Sequence, residues 1–118
     1  MKCHELTSRV AERAGISQDD ADAAIRAVLA TLAERMGSGE ADDLAAQLPK
    51  EFKSAVPAGV QAERLDLDGF ARRVATRSRI PDADGLAVTQ AVFGVLREGE
   101  IEDVPSALPR DFERALPV

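Results

Sequence analysis

The chain has 118 residues, of which 45% are apolar and only 3% aromatic, and its formal net charge is -6. This length suits one domain, and a core built mainly from Ala, Val, Leu and Ile favours closely packed helices. The negative charge argues against unspecific attraction to nucleic acid or to an anionic membrane surface, because both of these partners are polyanions.

The cellular setting follows from the amino terminus and the cysteine content. The amino terminus offers no apolar run of the kind that a secretory signal needs. No stretch approaches the roughly 20 apolar residues that cross a bilayer. A single cysteine, Cys3, excludes an internal disulfide framework and fits a reducing compartment. We therefore expect a cytoplasmic protein without a membrane partner.

Two helices are predicted at the start of the chain. The first runs from about Glu5 to Ala14, with apolar residues four apart on one face, and Gly15 ends it. Ser17 can cap the second helix, because a serine hydroxyl accepts hydrogen bonds from first-turn amides. A broad apolar stripe then predicts a helix from about Gln18 to Met36.

A glycine-rich break at residues 37–39 precedes a third predicted helix, from about Glu40 to Leu48. Pro49 imposes a bend, because the residue before a proline is disfavoured in the helical region. Pro49 can also occupy the first turn of a short fourth helix that carries Phe52 and Val56.

The same order of residues then returns in the second part of the chain. Ten positions have identical partners there at one constant spacing, which pairs Arg9 with Arg73 and Leu32 with Leu96. We call this spacing the repeat offset. After Leu96 the spacing is shorter, and a Leu-Pro-x-x-Phe motif occurs in both copies: Leu48, Pro49 and Phe52, then Leu108, Pro109 and Phe112. The sequence thus predicts an internal duplication.

The predicted boundaries are residues 5–57 for repeat one, 58–66 for a linker and 67–117 for repeat two. Two copies are too few for an open solenoid, which needs at least about three repeats. We expect a single all-α domain over residues 1–118, in which two pseudo-symmetric repeats of three to four helices share one core.

The Leu-Pro-x-x-Phe motif has two interpretations. A docking surface would present Phe and Pro of both copies to a partner. The structural interpretation is stronger, because apolar residues at helical spacing usually pack inside. We therefore expect Leu48, Phe52, Leu108 and Phe112 to be interior.

Four arginines at matching positions of the two repeats form a candidate patch for an anionic partner: Arg9, Arg13, Arg73 and Arg77. A solvated face paired with neighbouring acids such as Glu12, Asp66 and Asp68 is the commoner arrangement. The sequence shows no catalytic constellation, metal-ligand set or cofactor motif, so we expect neither an enzyme nor a bound cofactor.

Two resemblances add to this interpretation. Residues 5–35, which begin Glu-Leu-Thr-Ser-Arg-Val-Ala-Glu-Arg-Ala-Gly-Ile-Ser, resemble the helical hairpin of the bacterial histone-like DNA-bending proteins (HU). In that family a β-saddle and basic arms grip DNA, and the acidic, helical sequence from Gly37 onward has no counterpart to them. The duplicated helical arrangement of the full chain, with Asp42 to Pro49 and its echo at Glu102 to Pro109, resembles domain of unknown function 2267, an uncharacterised bacterial family. That resemblance implies a small all-helical protein and carries no catalytic residues.

Three function hypotheses remain open at this point. The first is a non-enzymatic helical interaction module that binds a protein partner or a second copy of itself. The second is association with nucleic acid through the four arginines, which the net charge disfavours. The third is a small-ligand carrier or enzyme whose pocket lies between the repeats.

Overall fold

The computed structural model describes residues 3–36, 42, 45–56, 66–80 and 85–98. Across these ranges the regular secondary structure is helical, without a strand, so the fold is all-α as predicted. No helix within these ranges is long and apolar enough to cross a membrane.

The first two helices are α1 (Cys3–Ala14) and α2 (Gln18–Met36). α1 begins two residues before its predicted start, and α2 has the predicted bounds. Gly15 reverses the chain between them with a positive φ of 70°. The Ile16 amide donates to the Ala11 carbonyl at 3.0 Å, which satisfies a terminal acceptor of α1. The predicted cap is present, because Ser17 Oγ accepts from the Asp20 amide at 3.1 Å.

The proline bend begins where the sequence predicts it, but the short helix that follows ends sooner than predicted. Residues 45–47 are helical, and Leu48 leaves the helix before Pro49. The short helix α3 (Lys50–Lys53) comes next and buries Phe52. Val56 lies beyond α3 in a turn, because the amides of Ala55 and Val56 bond to carbonyls only three residues back. Residues 40, 41, 43 and 44 of the predicted third helix lie outside the described residues.

The second part of the chain contributes α4 (Leu67–Ser78) and α5 (Gly85–Glu98). Asp66, the last residue of the predicted linker, caps α4 by accepting from the Gly69 amide at 2.8 Å. Arg79 ends α4 with a φ of 55°. The rest of the linker and the second Leu-Pro-x-x-Phe copy, Leu108, Pro109 and Phe112, lie outside the described residues.

The helices pack so that α1 and α4 each contact both α2 and α5. Their buried faces form one hydrophobic cluster that includes Leu6, Val10, Ile25, Leu29, Leu32, Phe52, Phe70, Val74, Phe93 and Leu96. The rings of Phe70 and Phe93 meet in a tilted pair, with centroids 5.8 Å apart. Residues from both predicted repeats thus contribute to one core.

The helices α4 and α5 approach closely at Gly85. A methyl group at this position would clash with the Ala71 carbonyl oxygen and lie 3.2 Å from the Ala75 side chain. Thr89 turns its hydroxyl back to the Gly85 carbonyl at 2.7 Å, which satisfies a buried side-chain donor. The lack of a side chain at Gly85 therefore sets the distance between these helices.

Candidate functional site

A cluster of polar side chains joins α2 to α4. Arg73 and Arg77 lie one turn apart on α4, so both reach the same side of the helix. Both contact the carboxylate of Glu34 on α2. Arg73 Nη1 donates to Glu34 Oε2 at 3.2 Å, and Arg77 Nη2 donates to the same oxygen at 3.0 Å. Arg77 Nη1 also forms an ion pair with Glu34 Oε1.

Thr31 extends this cluster into the protein interior. Its residue is fully buried, and its hydroxyl donates to the Ala27 carbonyl at 2.7 Å. The same oxygen accepts from Arg77 Nη1 at 3.1 Å. The guanidinium of Arg77 therefore bridges an exposed edge and a buried hydroxyl.

The arginines change the acidity of Glu34. Hydrogen bonding by Arg77 is the main cause that lowers the pKa of Glu34, and the positive charges of Arg77 and Arg73 lower it further. Partial burial acts in the opposite direction but is outweighed. Glu34 is therefore ionised at neutral pH and neutralises part of the basic charge on α4.

The four arginines of the predicted patch occupy two settings. Arg73 and Arg77 are brought together by Glu34, whereas Arg9 and Arg13 lie exposed on α1. Among the described residues, α1 and α4 have no extensive contact with each other. The structure thus joins one pair of the patch through an acid and leaves the other pair on a different helix.

The first Leu-Pro-x-x-Phe copy contacts α1 and lies beside Arg26 of α2. Leu48 is 4% exposed and Phe52 is fully buried. The guanidinium of Arg26 lies 5.1 Å from the Phe52 ring centroid, at cation–π distance. Arg26 also bonds to Asp22 at 2.9 Å and donates to the Glu51 carbonyl at 3.4 Å. In this position Phe52 is not available to an external partner.

An open groove of about 440 Å³ lies between α4 and α5. Its lining combines small residues, one larger apolar side chain and two charged residues: Asp68, Ala71, Arg72, Ala75, Gly85 and Leu86. Both helices belong to the second predicted repeat. The groove therefore lies within that repeat and not between the two repeats.

Within the described ranges, no group of three or more His, Cys, Asp or Glu side chains is arranged to hold a metal ion. Asp66, which the sequence suggested as a neighbour of the arginines, serves instead as the cap of α4.

Glu34 and Arg26 were missed by the sequence predictions. Each acts on a residue far away in the chain, 43 positions for Glu34 with Arg77 and 25 for Arg26 with Glu51. One signal was present for Glu34, because it follows directly on the buried Leu32 and Ala33. A charged side chain is rarely buried without a partner, so a charge at the border of a buried face is a candidate for pairing.

A family model described as "uncharacterized conserved protein (DUF2267)" matches residues 3–115. No curated protein matches the chain significantly.

Proposed function

The chain belongs to the DUF2267 family, and on this premise we propose that it is a non-enzymatic, cytoplasmic helical module that binds a protein partner or a second copy of itself. Its two repeats are pseudo-symmetric in this proposal. Equal helix lengths support this symmetry, because α1 and α4 both have 12 residues, and their first residues, Cys3 and Leu67, are related by the repeat offset. Positive φ at Gly15 and Arg79, which the same offset relates, gives the same indication.

The pairing of helices also fits two related halves. α1 and α2 pack as a hairpin, as do α4 and α5, and the first helix of each hairpin contacts the second helix of the other. This reciprocal exchange is the pattern expected of a duplicated unit whose apolar stripe is covered by its sister copy.

The observation that carries the functional proposal is the contact of Arg73 and Arg77 with Glu34. Half of the predicted anionic-partner patch is bound to an internal carboxylate, which weakens the nucleic-acid alternative. The net charge of -6 acts in the same direction, since it repels a polyanion and attracts a basic protein surface.

The test combines light scattering of the full chain over a wide concentration range with affinity capture from a lysate of its source cells. We expect either a mass above that of the monomer or a reproducibly retained protein whose binding weakens as salt rises. A monomer at every concentration that retains no protein would refute the proposal.

A nucleic-acid titration at low salt distinguishes the nucleic-acid hypothesis from this proposal. Arg9→Ala with Arg13→Ala is the informative variant, because these arginines lie exposed on α1. We expect no binding by the natural chain and therefore no change in the variant. Tight binding that the double substitution abolishes would favour the nucleic-acid hypothesis instead.

A further inference from the structure

The outward face of α4 carries an ordered row of charged and polar side chains. The side of the helix that faces the core presents the buried residues Leu67, Phe70, Val74 and Ser78. The opposite side presents exposed residues at helical spacing, which we call the outer stripe: Asp68, Arg72, Thr76 and Arg79. The outer stripe therefore points away from the core and into solvent.

The charges of the outer stripe are ordered along the helix. Asp68 lies near the amino-terminal end, and Arg79 lies at the carboxyl-terminal end, about 16 Å farther along at 1.5 Å per residue. A second α4 that ran alongside in the opposite direction would place an arginine beside each Asp68. A twofold axis forms every such contact twice, because each copy uses the same surface. The outer stripe is thus complementary to itself.

We propose that the outer stripe binds the outer stripe of a second copy of this chain, with the two α4 helices antiparallel across a twofold axis. Asp68 of each copy then faces Arg79 of the other. The proposal rests on the self-association included in the proposed function, and it names the surface that mediates it.

Thr76 suits the middle of this contact. Its hydroxyl donates to the Arg72 carbonyl of its own helix at 3.0 Å, so the oxygen can still accept a hydrogen bond from outside. When residue 68 faces residue 79, Thr76 is displaced along the axis by only about 1.5 Å from Arg72 of the second copy. The guanidinium of that arginine can therefore reach the Thr76 hydroxyl.

The groove beside the outer stripe leaves room for a second helix. Ala71 and Ala75 line this groove of about 440 Å³ together with Asp68 and Arg72. Short side chains allow two helix axes to approach to about 8–10 Å. Asp68 also has an interaction within its own chain, but a carboxylate offers about four acceptor sites and can add a second donor.

The sister helix α1 lacks this self-complementary row. The repeat offset relates the outer stripe to His4, Ser8, Glu12 and Gly15, in that order. This set contains one acid and no arginine, so an antiparallel pair of α1 helices would form no such ion pair. The complementarity therefore belongs to the second hairpin and not to the duplicated unit, and α1 provides a control surface.

Charge reversal tests the pairing. Asp68→Arg and Arg79→Asp each place like charges opposite each other at two symmetric positions. Each should raise the dissociation constant of the dimer by about tenfold or more. The double variant restores opposite charges with the signs exchanged, so it should recover dimerisation. Recovery within one chain is excluded, because the two positions lie about 16 Å apart on the same helix.

Sedimentation equilibrium of the full chain gives these dissociation constants. At about 0.15 M salt, charges separated by more than roughly 8 Å are screened, which limits the repulsion between two copies of net charge -6. One helix pair is a small interface, so we expect a weak dimer that forms as the concentration rises.

The matched control is Glu12→Arg, which makes the same change in net charge as Asp68→Arg but on the exposed face of α1. It should not weaken the dimer. Circular dichroism checks that every variant is folded, and the exposed positions of the substituted residues favour this outcome.

Three results would overturn the proposal: a monomer at every concentration, a dimer that both single reversals leave unchanged, or a folded double variant that does not recover dimerisation. These results differ from failure of the proposed function. A monomer that still retains a protein partner, or a dimer that ignores the reversals, leaves the interaction module in place and removes only the outer stripe as its surface.

Discussion

The two helical hairpins, α1–α2 and α4–α5, fill one core with different side chains at positions that the repeat offset relates. Leu6 and Leu29 are buried in the first hairpin, and the aromatic pair Phe70 and Phe93 stands at the corresponding positions of the second. The second hairpin has a smaller residue at another position. It carries Gly85 where the first has the buried Ala21.

These exchanges change the side-chain volume of the second hairpin in opposite directions. Two larger rings accompany a smaller residue at the helix crossing. Cores tolerate such combined exchanges but resist a single change in volume. A single substitution that replaces a residue of one hairpin with its counterpart from the other should therefore lower the free energy of unfolding.

Gly85→Ala should produce the largest effect. It puts alanine, the residue that the first hairpin has at the matching position, where α4 and α5 approach closely. Its methyl group would clash with the backbone oxygen of Ala71, so α4 and α5 must separate. We expect a loss of about 3 kcal/mol in the free energy of unfolding, measured by urea denaturation.

The reverse exchange, Ala21→Gly, is the matched control. It creates no clash and should lower the free energy of unfolding by about 1 kcal/mol through helix propensity and lost packing. Equal losses in the two variants would show that the crossings do not differ as described.

Glu34→Gln tests a second difference between the two hairpins. α2 has the buried Thr31 at the position where α5 has the buried Val95. This hydroxyl on α2 accepts from Arg77 of the other hairpin, and Val95 has no hydroxyl to offer at the matching place on α5. Gln keeps the shape of Glu34 but loses its charge. We expect a loss of about 1.5 kcal/mol at neutral pH, because hydrogen bonds to charged groups are the stronger ones.

The pH dependence gives this prediction its sign. Folding lowers the pKa of Glu34. Its contribution to the free energy of unfolding is therefore complete above the pKa of the unfolded state, and it is lost as the pH falls through the lower pKa of the folded state. The difference between the natural chain and Glu34→Gln should shrink in acid. The control Asp22→Asn removes a more exposed ion pair and should change stability by less than about 0.5 kcal/mol. If the difference in the free energy of unfolding between the natural chain and Glu34→Gln stayed constant across the acid range, it would contradict the role assigned to the Glu34 carboxylate.

Apart from the control variants, Arg79→Gly should produce the smallest effect, and it should stabilise the protein. Arg79 has a φ of 55°, which strains a residue with a side chain, whereas the first hairpin has Gly15 at the matching place. We expect a gain of about 1 kcal/mol, read as a higher thermal midpoint.

The exchange in the first hairpin, Gly15→Ala, should lose a similar amount. Nothing lies within 4 Å of the added methyl group, so backbone strain alone is tested there. A loss in both variants would show that the Arg79 side chain makes a contribution that outweighs its strain.

Local sequence signals were sufficient for the helices that they delimit. Ser17 marks the start of α2, and Pro49 marks the bend before α3, because capping and proline sterics act within a few residues. Positive φ at Arg79 could be inferred only from its match to Gly15. Nothing in an arginine itself favours that conformation.

The polar cluster could not be predicted in the same way. Spacing along α4 indicated that Arg73 and Arg77 share a face, but it did not show which helix that face meets. The acids proposed from the sequence were near in the chain, whereas Glu34 lies on α2. Tertiary packing decides such pairs, and one sequence carries little record of it.

The contact of Glu34 with Arg77 joins helices from the two hairpins and has a consequence for unfolding. If one hairpin opened alone, the other would expose its share of the common core and lose the ionic partner at the same moment. We therefore expect partial opening to be nearly as unfavourable as complete opening. Despite its doubled sequence, the chain should resist proteases as a single unit, with no long-lived state in which only one half is cut.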